Sequence, residues 1–221
     1  MALPNIRVSG LLLMVAGILF GSFMFFHPIN NPQGALEAIW VPVHSIWFIA
    51  YLLIIISFLP IYNAIASLGS LAILGYWLSF LGTVLSLPIA TWDAFAIPYL
   101  AKHAPDFILE IEENSMETSI LVYRAIVFLT IFLFSLGFML YGAAIAKSSQ
   151  LLKFAGICLA LGAPIFWIGA LFVSKGSMGN IVTEIGALLF GLGLTVLGQS
   201  LFVNSSQFIT KDASRIQPIE T

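Results

Sequence analysis

From Val8 onward the sequence returns six times to one pattern, an apolar run of span length: Val8–His27, Ile39–Tyr62, Leu71–Tyr99, Ser119–Ala146, Leu152–Ser174 and Ile181–Leu201. At 1.5 Å of helical rise per residue, about 20 such residues cross the ~30 Å hydrocarbon core of a bilayer. Hydrocarbon offers no water to backbone N–H and C=O groups, so each crossing has to close its hydrogen bonds within itself, as a helix. The expected fold is therefore all-α, a six-transmembrane-helix bundle. One domain over residues 1–206 is followed by a short cytoplasmic tail, 207–221.

Composition excludes the alternatives. Only 8% of residues are charged and 60% are hydrophobic, whereas a soluble domain carries about 25% charge. The net charge of −2 comes without any Lys/Arg cluster, so no nucleic-acid partner is expected. Membrane lipids are the expected surroundings, with a homo-oligomer or a larger membrane complex left open. The first run ends in Phe25-Phe26-His27-Pro28 and lacks the small-residue cleavage site of a signal peptide, so it reads as the first helix. The lone Cys158 lies in an apolar stretch and reads as a small packing residue.

Turn and cap signals separate the runs: Asn30-Asn31-Pro32-Gln33-Gly34, Ser67-Leu68-Gly69-Ser70, Lys147-Ser148-Ser149-Gln150 and Lys175-Gly176-Ser177. Ala101–Thr118 alone is long enough to hold structure of its own, such as a short helix on the membrane. Arg7, Lys147, Lys153, Lys211 and Arg215 fall on the side of the termini, against Lys102 and Lys175 opposite. By the positive-inside rule the termini are cytoplasmic. The Asn204-Ser205-Ser206 sequon then faces the cytoplasm.

Small residues recur at helical spacing as Gly75, Ser79, Gly82 and Ser86, as Ala187, Gly191, Thr195 and Gly198, and as Gly10, Gly17 and Gly21. Such stripes let helix backbones approach in lipid. Pro88 and Pro164 each delete a backbone hydrogen bond and predict kinks. The second span instead carries Trp40, His44, Trp47, Tyr51 and Phe58 near one face. Trp40 and Trp47 read either as an interfacial aromatic belt or as a stacking wall for a flat cofactor or lipid tail.

Ionisable side chains within a span cost a few kcal/mol at the membrane centre. His44, Asp93, Arg124 and Glu184 enter from the outer face to similar depth, with His27 capping the first span above them. They define a candidate polar pocket in the outer half of the bundle, whereas the inner half is almost free of ionisable groups. Arg124 could pair with Asp93 or Glu184 as a structural lock. His44, Asp93 and Glu184, joined by His27, offer nitrogen and oxygen ligands suited to a divalent metal such as zinc or manganese. His27 and His44 could be axial ligands of haem b, with Trp40, Trp47 and Phe20, Phe23, Phe25 and Phe26 around the ring. The same layer could serve a small solute or proton-coupled carrier. His103 and the acidic run from Asp106 to Glu117 read as solvated loop.

Phe26-His27-Pro28, the Trp40-x-x-x-His44 pair, and Asp93-Ala94-Phe95-Ala96-Ile97-Pro98-Tyr99-Leu100-Ala101 with His103-Ala104-Pro105 resemble a class of uncharacterised bacterial multi-pass membrane proteins. The likeness covers mainly the first three spans. It implies a bacterial inner membrane and directs attention to His27, His44 and Asp93, but transfers no activity, substrate or cofactor. A structural or accessory protein, a haem- or metal-binding redox protein or enzyme, and a carrier therefore stay open.

Overall fold

The computed structural model describes residues 5–66, 68–108, 116–148, 150–173 and 179–204. The three glutamates Glu110, Glu112 and Glu113, the segment around Lys175, most of the sequon and the C-terminal tail lie outside the described residues.

Among the described residues the structure is helical without a strand. Its long elements are α1 (Ile6–Phe23), α2 (Trp40–Ala66), α3 (Ser70–Thr91), α4 (Ile97–His103), α5 (Thr118–Ser148), α6 (Gln150–Ile168) and α7 (Gly179–Val203). A five-residue π turn, Trp92–Ala96, joins α3 to α4, and a second, Gly169–Val173, extends α6. Six helical segments are long and apolar enough to cross a membrane, the third running unbroken from Ser70 to His103. The chain is thus a polytopic membrane helix bundle. The third span outruns the expected end at Tyr99 because helix continues through the π turn and α4.

The six spans form a ring in sequence order. α1 packs on α2, α2 on α3, α3 on α5, α5 on α6 and α6 on α7, and α7 returns to α1. Backbone contact between small residues makes most of these seams. A Cβ placed on Gly10 would lie 2.6 Å from the Gly198 carbonyl oxygen, and one on Gly142 would lie 2.7 Å from the Ala160 nitrogen. Packing of this kind substitutes for a hydrophobic driving force, which lipid does not provide between helices. Ser79, Thr83 and Ser86 on α3 turn their hydroxyls to carbonyls one turn back, at 2.7–2.8 Å, so polar side chains enter a seam without unmet donors.

The α2 seams are built differently. α2 contains no glycine, and its rings fill the axis of the bundle. Tyr51 and Phe58 are fully buried, as are Phe20 of α1, Phe134 and Phe138 of α5 and Phe190 of α7. Phe20 meets Phe190 at 4.9 Å and Phe134 meets Phe138 at 4.7 Å in tilted or edge-on pairs, the arrangement that ring quadrupoles favour. An aromatic plug therefore occupies the place where a pore would run.

At Gly82 a Cβ would sit 2.5 Å from the Phe134 Cα. We expect Gly82→Val to lower the thermal unfolding midpoint in detergent, since overpacking costs about 1–3 kcal/mol. Leu81→Val, one residue along on the lipid-facing side, should leave the midpoint within about 1 °C of wild type.

Candidate functional site

The candidate site forms at the end of the bundle away from the start of α1 and the end of α7. α1 tightens into a 3-10 turn, Met24–Phe26, and His27 follows in extended conformation. Pro28 then blocks further helix. The chain reverses through Asn31, whose Oδ1 accepts the Gly34 N–H at 2.7 Å, and a short 3-10 turn, Gly34–Leu36, leads into α2 at Trp40. Ala35, Trp40, Ala101 and Ile108 make a small apolar cluster over this entry.

Trp40 is the hub. Its indole N–H donates to the backbone carbonyl of Asp93 at 2.7 Å, and the π turn explains why that carbonyl is available. The Ile97 N–H, which an α-helix would direct to Asp93, bonds to Trp92 instead. The next residue, Pro98, has no N–H. The Asp93 oxygen therefore lacks a backbone donor in its own helix, and a neighbouring span supplies one. The Trp40 carbonyl meanwhile faces Nδ1 of His44 at 2.8 Å, and the Trp40 ring stacks on the His44 ring at 4.3 Å and 24°.

His27 completes the arrangement. Its Nδ1 lies 2.6 Å from the Pro28 carbonyl oxygen, and its Nε2 lies 3.1 Å from Nε2 of His44. A carbonyl oxygen only accepts, so each Nδ1 has to carry its proton. In neutral imidazoles both Nε2 atoms then present lone pairs, aimed at one another across 3.1 Å. His44 is 2% exposed, so bulk water cannot separate the two nitrogens from that side. Burial pulls the pKa of half-buried His27 below its ordinary value, against a smaller opposing effect of the bond to Pro28.

Trp40 and Trp47 are 2% and 5% exposed, which replaces the aromatic-belt reading with an interior one. Trp47 lies nearly parallel to Phe23 at 5.7 Å. Below His44 on the same face of α2, the Trp47 indole N–H and the Tyr51 hydroxyl are buried without a well-formed hydrogen bond, although Ser86 lies near the hydroxyl.

The other polar residues take different places. Asp93 sits half-buried within the π turn and within electrostatic reach of Tyr51 and Tyr123. Arg124 is half-buried on α5, and both it and Asp93 have interaction partners. Helix register sets half-buried Glu184 about level with the Met24–Phe26 turn, because Gly17 meets Gly191 and Gly21 faces Ala187. Among the described residues no three His, Cys, Asp or Glu side chains gather as metal ligands, so His44, Asp93 and Glu184 do not form one ligand set. The haem arrangement also fails on geometry. A macrocycle would have to stand between the two axial nitrogens, whereas these face each other directly at 3.1 Å with the Trp40 ring stacked on His44. Phe25 and Phe26, expected to pack the ring, are exposed instead. His103 is exposed, with its ring 4.6 Å from that of Tyr99.

Sequence reasoning missed the Pro28, Trp40 and Asp93 carbonyls, which fix the tautomers and anchor the hub. The only signal for the last was the interval from Pro88 to Pro98, where a helix must rearrange its hydrogen bonds. No protein-family model, curated protein or solved structure matches the chain.

Trp40→Phe keeps a ring over His44 but removes the donor to Asp93. A buried carbonyl left without a partner costs about 1–3 kcal/mol. Denaturant unfolding in detergent should register that loss, whereas Trp77→Phe on the exposed side of α3 should not.

Proposed function

We propose that the protein is a cation-binding membrane protein whose site lies between Nε2 of His27 and Nε2 of His44 at the outer end of the bundle. One observation carries this reading: both Nδ1 atoms face carbonyl oxygens, at 2.6 and 2.8 Å, while the two Nε2 atoms face each other at 3.1 Å. Two lone pairs at that distance repel. An electron-pair acceptor between them, a proton or a metal ion, turns the repulsion into two bonds. Nδ1–H donation to a carbonyl is also the usual support behind a cation-binding imidazole, since it fixes the tautomer and raises the basicity of the other nitrogen.

The surroundings favour holding a cation over conducting one. Indole faces attract positive charge, and Trp40 lies flat against His44. Beneath the pair, the rings of Trp47, Phe20, Phe166 and Phe134 close the axis. The Lys/Arg bias puts the termini in the cytoplasm, so the site opens outward. An accessory protein that captures or senses a cation at the outer surface fits these features better than a channel.

Histidine-selective ¹⁵N NMR of the full chain in micelles tests the reading. Both rings should show protonated Nδ1, with the two Nε2 resonances shifted by a shared cation. A spectrum with one ring as the neutral Nε2–H tautomer, donating directly to the other, would remove the need for any cation and end the proposal.

A further inference from the structure

We infer that the cation held by His27 and His44 is a monovalent metal ion of low coordination number, Cu(I). This rests on the cation-binding reading above and names the ion. The first argument is ligand count. The site offers two imidazole nitrogens, and no third His, Cys, Asp or Glu joins them among the described residues. Zinc takes four ligands, and magnesium and manganese about six, mostly oxygens. Copper accepts imidazole, and its d¹⁰ monovalent state is satisfied by two donors on opposite sides.

Charge gives the second argument. Both ligands are neutral, and His44 is buried among Trp40, at 4.3 Å, and Trp47, at 6.2 Å. Burying charge in a medium of low dielectric is expensive, and the Born cost rises with the square of the charge, so a divalent ion without an anionic ligand would cost about four times as much as a monovalent one. Indole stacking compensates a single charge. Third, the geometry needs only a small change. A linear N–Cu–N unit spans just under ~4 Å, at about 2 Å per bond, against the 3.1 Å observed. His44 is fixed within a helix, whereas His27 stands on extended chain beyond the 3-10 turn and can retreat by under ~1 Å.

The test uses the full chain in detergent under anaerobic conditions, with Cu(I) supplied from a chromophoric bicinchoninate complex, and Zn(II) titrated separately. One equivalent of Cu(I) should transfer to the protein. His27→Gln and His44→Gln should each weaken binding beyond the about 10–100-fold typical of losing an outer-shell partner, and His103→Gln should have no effect. In case a variant fails to fold, Ag(I) added to ¹⁵N-histidine-labelled wild type should move the Nε2 resonances of His27 and His44 and leave those of His103 in place. Zn(II) binding tighter than Cu(I), or Cu(I) binding indifferent to both glutamine variants, would overturn the inference. If no metal binds while the ¹⁵N spectrum still reports one proton shared between the rings, copper is wrong and the cation reading stands. If one ring is a plain Nε2–H donor, both fall.

Discussion

The organisation of the polar end depends on one hydrogen bond, from the Trp40 indole to the Asp93 carbonyl. In lipid an unmet backbone group has no solvent to turn to. A π turn followed by proline creates such a group, and α2 provides the donor. The bond fixes the Trp40 ring in the interior, the ring gives His44 a flat surface, and the Trp40 carbonyl sets which His44 nitrogen keeps its proton. An irregularity in the third span thereby defines the chemistry of a residue on the second.

The ring of helices gives this chemistry a fixed frame. Seams of glycine and other small residues bring α1 against α7 and α3 against α5 so closely that their backbones touch. α2 is held by rings packed against α1 and, across the axis, against α5. Where glycine leaves no room a site cannot form, and where aromatic side chains space the helices apart, polar atoms can meet. The histidine pair lies on the aromatic side of the bundle, between the end of α1 and the start of α2.

Much of this was legible in the residues. The six spans and the small-residue stripes follow from hydrophobic length and helical spacing, and the cost of ionisable groups in lipid singles out His27 and His44, which the fold brings within 3.1 Å. The orientation of Trp40 and Trp47 did not. In a membrane bundle both the lipid face and the core face are apolar, so the amphipathic signal that sorts inside from outside in a soluble helix is missing. Pro88 announced a disturbance without saying that the helix would widen into a π turn beyond it, or that Asp93 would offer its backbone to α2. His27, expected to cap the first span above His44, leaves the helix in extended conformation and meets His44 at 3.1 Å.

The sequential order of the ring bears on how the molecule is made. Each span packs on the one synthesised before it, and the α1–α7 seam joins the first span to the last. That seam, with Gly10 on Gly198 and Gly17 on Gly191, cannot close until the sixth span is in the membrane. His27, His44, Trp40 and Asp93 all belong to the first three spans and the loop between the first two, so every atom of the histidine site leaves the ribosome well before the barrel of helices shuts around it.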